Sequence, residues 1–210
     1  MSPTVHVVDD DAALREALVQ LLEAAGLEVE SHADGRSFLA ALTEDRPGCV
    51  LLDVAMPGMS GLEVQTELKA RGLHLPVVFL TGHGDIPMAV RAVQSGAVDF
   101  LEKPIPGNAL LDRVRRALAR DEERRHTVAI RREIAERCLR LTPREREVMA
   151  MVVGGRSSKD IGRQLGISAR TVEAHRIHVM HKMGAANLAE LVGMAAHCEL
   201  EPSAQPASST

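Results

Sequence analysis

The residues Cys49-Val-Leu-Leu-Asp53 form a short apolar run that ends on an acid, and this run decides the fold of the first half of the chain. Continuous apolar runs of this length are typical of strands that are buried on both faces of a sheet. Because similar runs alternate with helical patterns, we expect an α/β fold, a doubly wound five-stranded parallel sheet. The predicted strands cover about residues 4–8, 27–30, 49–53, 76–80 and 98–101.

Capping patterns place helices between these strands. Gly26 ends the first helix, Ser60-Gly-Leu-Glu63 has the spacing of a capping box, and Asn108 can cap the last helix of this half. Residues 120–140 follow with twelve charges and neither Gly nor Pro, which favours a solvated helical linker. The predicted helices cover about residues 11–25, 37–42, 60–71, 86–94 and 108–118.

A different pattern begins after the linker. Thr142-Pro-Arg-Glu145 is a second capping box, and Gly166-Ile-Ser168 separates a short helix from a longer one. A tight turn between helices, inside a four-helix all-α unit, is the outline of a helix-turn-helix module. We therefore expect domains at 1–120 and 141–198, a linker at 121–140 and a disordered tail at 199–210.

Composition limits the classes of function. The chain has three Phe and neither Trp nor Tyr, so it has few aromatic side chains on which the bases of single-stranded DNA or RNA could stack, and this kind of binding is disfavoured. No apolar run reaches the length of a membrane span, so we expect no membrane partner. Cys49, Cys138 and Cys198 suggest no disulfide framework, which makes a reducing cytoplasm the default location.

The charge of the chain is unevenly distributed. Residues 1–119 carry 10 basic and 17 acidic side chains, a net charge of −7, whereas residues 141–210 carry 8 and 7, a net charge of +1. This asymmetry indicates two roles, one of them directed at a polyanion.

Acidic residues follow two of the predicted strands. Asp9, Asp10 and Asp11 come after the first strand and Asp53 ends the third, while Lys103 follows the fifth. Function in open parallel sheets collects at the carboxyl ends of the strands, so these groups should meet there. Gathered carboxylates need neutralisation, which Lys103 and a hard cation such as Mg²⁺ can supply. For Asp11 alone, a helix cap is the simpler interpretation.

These residues resemble the receiver domains of two-component response regulators. The resemblance covers residues 4–120 and rests on Val7-Val-Asp-Asp10, Leu52-Asp-Val-Ala-Met-Pro-Gly-Met-Ser-Gly61, Thr81-Gly-His-Gly84 and Lys103-Pro104. It implies the strand order 2-1-3-4-5 that such receivers share. It also implies that Asp53 accepts a phosphoryl group from the phosphohistidine of a sensor histidine kinase.

The resemblance assigns a metal site as well. Mg²⁺, or Mn²⁺, would be held by Asp10, Asp53 and the backbone carbonyl of Ala55, while Asp9 would orient the water ligands of the ion. Ala55 is small where many relatives carry a polar side chain, which leaves the rate of dephosphorylation open.

Three further roles follow from the same resemblance. Lys103 would pair with a phosphoryl oxygen, and Thr81 would donate a hydrogen bond to the phosphate. Phe100 occupies the position of a switch aromatic that turns inward as Thr81 moves, with an ordinary buried Phe as the alternative. The Lys103-Pro104 bond is expected to be cis, and Ile105-Pro106 replaces the more usual Phe.

The second half, at about 141–198, resembles the LuxR-type helix-turn-helix, and both halves together resemble the FixJ type of the NarL/FixJ family. This rests on Leu141-Thr-Pro-Arg-Glu-Arg-Glu-Val148, Lys159-Asp-Ile161, Leu165-Gly-Ile-Ser168 and Thr171-Val-Glu-Ala-His175. The recognition helix would be about Ala169–Lys182. Candidate contacts to DNA phosphates are Lys159, Arg170, Thr171 and Lys182. Candidate contacts to base edges are Glu173, Ala174 and Ile177.

Two other features of this half have ordinary explanations. His175, His178 and His181 cannot share one metal ion, because two steps of three residues turn the side chain by roughly 120° on a helix. Arg146 and Arg163 fit a solvated helix face, the usual place of exposed charges.

The combined prediction is a phosphorylation-activated, DNA-binding transcription regulator that is not an enzyme. Its expected partners are a sensor kinase, a double-stranded DNA operator and a second copy of the chain, and RNA polymerase is a further partner that the resemblance allows. Dimerisation would use Arg91, Asp99 and Arg113 in reciprocal pairs.

One alternative function is that of an aspartate-nucleophile phosphatase, which Val54-Ala55 disfavours because no second catalytic acid follows Asp53. Another is a scaffold that acts through protein contacts alone.

Overall fold

The computed structural model describes residues 2–42, 45–82 and 99–198. The chain divides into two compact units, Met1–Arg125 and His126–Thr210. The strands are β1 (Thr4–Val8), β2 (Glu28–His32), β3 (Gly48–Asp53), β4 (Val77–Thr81) and β5 (Asp99–Glu102). The helices are α1 (Ala12–Ala24), α2 (Gly35–Ala41), α3 (Gly61–Ala70), α4 (Gly107–Leu139), α5 (Pro143–Val153), α6 (Ser158–Leu165), α7 (Ala169–Met183) and α8 (Leu188–Ala195).

The strands form one parallel sheet in the order β2-β1-β3-β4-β5, which confirms the expected fold and topology. In the register, Val8 lies beside Leu52, Asp53 beside Leu80, and Thr81 beside Glu102. The strands therefore end at nearly the same level, and the residues that follow them share one edge of the sheet.

The sheet is buried on both faces because its central strand is apolar throughout. All six residues of β3 are buried, and successive side chains enter different cores. Leu52 packs with Phe38 and Phe79 on one face, whereas Leu51 packs with residues of α1 and α4 on the other. Burial on both faces explains why the strand reads as a continuous apolar run.

Some predicted features differ from the structure or fall outside it. The helix predicted at 86–94 and the first residue of the last strand, Val98, lie outside the described residues, as does the tail at 199–210. The expectation that Asn108 caps its helix is wrong, because α4 begins at Gly107 and the Asn108 Oδ1 accepts only from the adjacent Ala109 N–H. The predicted final helix and the helical linker are parts of the same helix.

The second unit is built as the capping patterns indicate. The Thr142 and Glu145 side chains form a capping box, with Pro143 in the first turn of α5. Ser168 caps α7 and Asn187 caps α8. The four short helices and the end of α4 enclose a core of Ile134, Val148, Met149, Ile161, Val172, Val179, Met183 and Leu191.

A disulfide joins Cys138, in the last turn of α4, to Cys198, which follows α8. The expectation that the cysteines form no framework is therefore wrong for these two, and Cys49 is the buried free cysteine of the described residues. The two bonded residues lie 60 positions apart, so only the packing of the helices brings them together. Among the described residues, no helix combines the length and the apolar character that crossing a membrane requires.

A buried carboxylate in α4 fixes this helix to the start of β3. Asp121 is 2% exposed, and its Oδ2 accepts a hydrogen bond from the Gly48 N–H at 3.1 Å. Arg124 and Arg125 donate to the same carboxylate at 2.9 and 2.6 Å, and both also reach Asp45. The charge of Asp121 is thus compensated where it leaves water.

We expect Asp121→Ala to destabilise the first unit by about 3 kcal/mol, because it leaves two guanidinium groups and a backbone donor with fewer acceptors. Amide hydrogen exchange in β3 measures the loss within this unit. Asp112→Ala is the matched control, since Asp112 makes exposed ion pairs on the same helix and should change stability by less than about 0.5 kcal/mol. Equal protection of β3 in both variants would contradict the expectation.

Candidate functional site

Two buried carboxylates share one ammonium at the carboxyl edge of the sheet. Asp9 follows β1 and Asp53 ends β3, and these residues are 0% and 4% exposed. The Lys103 Nζ, beyond β5, lies 2.7 Å from Asp9 Oδ2 and 2.7 Å from Asp53 Oδ1. The predicted meeting of these groups is therefore present in the geometry. Together with the exposed Asp10, we call these residues the acidic cluster.

The loop after β3 holds the Asp53 side chain in place. Its Oδ2 accepts a hydrogen bond from the Ala55 N–H at 3.0 Å, which leaves Oδ1 to Lys103. Gly61 folds the loop back, since its N–H donates to the Val54 carbonyl and a Cβ there would lie 2.3 Å from the Asp53 carbonyl oxygen. Only glycine permits this close approach.

The charge of the acidic cluster suits a cation. Burial disfavours the Lys103 ammonium, but its hydrogen bonds to Asp53 and Asp9 raise its pKa above the ordinary value. One ammonium leaves the three carboxylates with a net negative charge, and the atoms that they offer to a metal are all oxygens, as a hard cation prefers. Asp11 instead caps α1 by accepting from the Ala13 and Leu14 N–H groups, as its position predicts.

The two candidate switch residues lie on neighbouring strands, Thr81 at the end of β4 and Phe100 in β5. Thr81 ends β4, and its carbonyl accepts from the Lys103 N–H at 2.7 Å. Phe100 is 42% exposed, so the alternative of an ordinary buried Phe is wrong. The Lys103-Pro104 bond is cis, as the resemblance implies. His83 and Gly84, which complete the motif begun by Thr81, lie outside the described residues.

The candidate dimer residues are paired within the chain. Arg113 Nε lies 2.8 Å from Asp99 Oδ2, so this ion pair is intramolecular in the structure. Arg91 lies outside the described residues. To form the predicted pair across a two-fold axis, Arg113 would have to leave the Asp99 of its own chain and bind the Asp99 of a second copy.

In the second unit, α7 presents most of the predicted DNA contacts on one solvent-exposed surface. Val172, Val179 and Met183 face the core, while Ile177 is 67% exposed, which is unusual for a large apolar side chain on an amphipathic helix. The exposed candidate contacts on this helix are Arg170, Thr171, Glu173, Ala174 and Ile177, and Lys159 is exposed on α6.

Two of the candidate contacts also bond within the protein. Glu173 accepts from the Ser158 hydroxyl and lies 3.8 Å from Arg176. Lys182 Nζ lies 2.6 Å from Glu145 Oε2, although a third of its side chain stays exposed. Glu145, a buried carboxylate, is a residue that the sequence marked only as part of a capping box.

The histidines of α7 do not form a metal site. Within the described part of the chain, the nitrogens of His175, His178 and His181 do not converge on a common point, which agrees with their spacing on the helix. His178 instead lies 4.0 Å from Glu145.

Comparison with known proteins identifies the family. A model described as the response regulator receiver domain matches residues 5–115, and one described as bacterial regulatory proteins, luxR family, matches residues 139–195. The transcriptional regulatory protein FixJ of Azorhizobium caulinodans is 49% identical over 191 residues, which is 91% of this chain and 90% of the relative. Nodulation protein W of Bradyrhizobium diazoefficiens is 45% identical over 193 residues, 90% of this chain and 84% of the relative.

A solved structure agrees with this assignment. The response regulator StyR superimposes with a TM-score of 0.84 at 42% identity, and the match covers 93% of this chain and 99% of that one. The chain belongs to the two-component response regulators that combine a receiver with a LuxR-type DNA-binding domain. It is a transcription regulator, a class distinct from the classical enzymes.

We expect Glu145→Gln to destabilise the second unit at neutral pH and to weaken its response to acid. Burial raises the pKa of Glu145, but bonds from Lys182 and Thr142 outweigh this and lower it from 4.5 to about 2. The native state therefore gains stability from Glu145 above pH 4.5 and loses it as the pH falls towards 2.

Hydrogen exchange of the α5 and α7 amides at several pH values between 3 and 7 checks this expectation, because it reports on the second unit alone. Glu147→Gln is the control, since Glu147 forms an exposed pair with Arg144. An unchanged acid dependence in Glu145→Gln would contradict the assigned pKa.

Proposed function

We propose that this regulator is activated when Asp53 accepts a phosphoryl group from the phosphohistidine of a sensor histidine kinase. The observation that carries the proposal is the 2.7 Å contact between Lys103 Nζ and the buried Asp53 carboxylate. A carboxylate at the edge of the sheet, with an ammonium already beside it, can receive a group that brings further negative charge.

The proposed transfer needs little from the protein beyond positioning and charge. A carboxylate oxygen of Asp53 bonds to phosphorus as the N–P bond of the phosphohistidine breaks, and the imidazole takes up the electron pair. Asp9 holds the Lys103 ammonium at 2.7 Å, so this charge stays in place while phosphoryl oxygens arrive. The Thr81 hydroxyl then donates a hydrogen bond to the new phosphate.

The residues of the acidic cluster fit a Mg²⁺ or Mn²⁺ ion. Asp10, Asp53 and the carbonyl of Ala55 would hold it, and Asp9 would orient its water ligands. When bound, the ion supplies positive charge that neutralises the phosphoryl oxygens. Asp9 would act on the water ligands and not on the ion itself, because its two oxygens already accept from the Asp11 N–H and the Lys103 ammonium and have only further hydrogen bonds to offer.

Phosphorylation would reach the rest of the receiver through Thr81 and Phe100. Movement of Thr81 towards the phosphate makes room for Phe100, whose exposed ring then turns inward. Such a change would favour a homodimer through Asp99 and Arg113, together with Arg91.

DNA binding would use the exposed surface of α7. Lys159, Arg170 and Thr171 would contact phosphates, and Glu173, Ala174 and Ile177 would reach base edges, where Glu can accept from cytosine and the apolar side chains can contact thymine methyls. Lys182 would reach a phosphate only by sharing its ammonium with Glu145. The remaining proposed partner is RNA polymerase.

We propose a receiver at 1–120, a linker at 121–140, a DNA-binding domain at 141–198 and a tail at 199–210. The proposed location is the cytoplasm, where the sensor kinase and the operator would both be accessible. Because Cys138 and Cys198 form a disulfide, the cysteines no longer indicate a reducing compartment. The proposed location therefore rests on the protein family alone. We also propose that the chain has no substrate turnover of its own.

Acetyl phosphate with Mg²⁺ should add one phosphoryl group, at Asp53, because this carboxylate faces Lys103 at the edge of the sheet. Mass mapping of the full chain checks the position, and Asp53→Asn should remain unmodified. Lys103→Ala should be phosphorylated roughly 100-fold more slowly, because it lacks the ammonium that would stabilise the negative charge of the transition state. Phosphate on another residue of the wild-type chain would refute the assignment of Asp53.

Arg170→Ala should weaken binding to a random-sequence DNA duplex and reduce the slope of log affinity against log salt by about 0.9, the value for one lost phosphate contact. Fluorescence anisotropy with acetyl phosphate-treated full-length protein measures both. The control is Arg132→Ala, since Arg132 is highly exposed on α4 and paired with Glu136. An identical salt slope in the two variants would remove Arg170 from the DNA contacts.

A further inference from the structure

Three potential metal ligands meet on β1 and β2, away from the acidic cluster. His6 lies opposite Glu30 in the register, and His32 lies opposite Val8. Alternate residues of a strand share a face, so all three side chains lie on the same face of the sheet. Their ligand atoms all lie within 4.8 Å of one another. Phe38 of α2 covers both imidazoles, with ring centroids 5.3 Å away.

Three buried nitrogens of the two imidazoles lack hydrogen bonds. His6 is 4% exposed, and neither its Nδ1 nor its Nε2 makes a hydrogen bond to the described residues. The buried Nε2 of His32 also lacks one in this part of the chain. Buried polar atoms in native proteins are nearly always paired with protein, water or a ligand. Three orphaned nitrogens on neighbouring strands therefore point to a ligand between them.

The surroundings of both imidazoles disfavour a positive charge on the ring. Burial lowers the pKa of His6 to about 4, and the charges of His32 and Arg46 add to this while Glu30 opposes it. Burial also lowers the pKa of His32, against the charges of Glu30 and Asp34.

The distance between the ligand atoms of His6 and Glu30 already matches that expected around a tetrahedral metal ion. His6 Nδ1 lies 3.5 Å from Glu30 Oε2. Ligand atoms bound about 2.1 Å from a tetrahedral ion are separated by roughly 3.4 Å. The third ligand, His32, needs only the adjustment that a half-buried side chain on an edge strand can make.

We propose that His6, Glu30 and His32 bind one divalent ion of the Zn²⁺ class, with the fourth position left to water. Two imidazole nitrogens and one carboxylate oxygen are ligands that Zn²⁺ and Co²⁺ accept, whereas Mg²⁺ prefers oxygen alone. The ion would cross-link the edge strand β2 to β1, three residues before Asp9. It is a second metal site, chemically distinct from the acidic cluster.

Titration of the full-length protein with Co²⁺ and then Zn²⁺, in excess Mg²⁺ to occupy the acidic cluster, tests the proposal. The expected result is one Co²⁺ per chain with the strong visible absorption of a four-coordinate site, displaced by Zn²⁺. His32→Gln should abolish this spectrum, and Glu30→Gln should weaken Zn²⁺ binding by at least about tenfold. Both side chains reach the surface, so the variants should fold, and circular dichroism checks this.

Matched controls separate the site from general histidine and carboxylate binding. Glu28→Gln removes an exposed carboxylate from the same strand, and His74→Gln removes an exposed imidazole from the same unit; both should bind as the wild type does. Zn²⁺ should also raise the melting temperature of the wild type and of these controls, but not of His32→Gln. Equal Zn²⁺ affinity in His32→Gln and the wild type, or no Co²⁺ spectrum in the wild type, would overturn the proposal.

Discussion

The Lys103 ammonium, held 2.7 Å from Asp9 and 2.7 Å from Asp53, is the interaction on which the arrangement of the receiver depends. Two carboxylates that are almost fully buried cannot remain ionised beside each other without a nearby cation. The cation comes from 94 residues away along the chain, and only the order of the parallel strands brings it to the same edge. The site therefore depends on the fold, since a different strand order would leave the two carboxylates without the Lys103 ammonium.

The same principle recurs where other carboxylates are buried. Asp121 is compensated by Arg124 and Arg125 and also accepts from the distant Gly48 N–H, and Glu145 is compensated by Lys182, 37 residues away. Buried ion pairs add little net stability compared with apolar contacts, but removal of one partner is costly. Their effect is to make alternative packings of α4 against β3, or of α7 against α5, unfavourable.

The sequence predicted the elements that have a local cause. Apolar runs located most of the strands and apolar–acidic alternation located the second, while the capping residues Ser60, Thr142 and Ser168 located helix starts, because each of these signals acts on its own neighbours. The acidic cluster was predictable too, since parallel strands end together. What local patterns could not reveal are pairings across the fold, such as the Cys138–Cys198 disulfide, the partner of Glu145, or the convergence of His6 with His32. These depend on packing and on the register between strands.

The charge of the second unit explains why its binding to DNA can be controlled. Residues 141–210 carry a net charge of only +1, Lys182 shares its ammonium with Glu145, and Glu173 places a negative charge on the proposed recognition surface. The two remaining candidate phosphate contacts, Lys159 and Arg170, would give a salt slope of about −1.8, which is small for a DNA-binding protein. A single module would therefore bind weakly. Two modules brought together by receiver dimerisation would bind far more tightly without any new contact, because the second binds at a high effective concentration. If phosphorylation favours the receiver dimer as proposed, the weak binding of a single module would make DNA binding depend on phosphorylation.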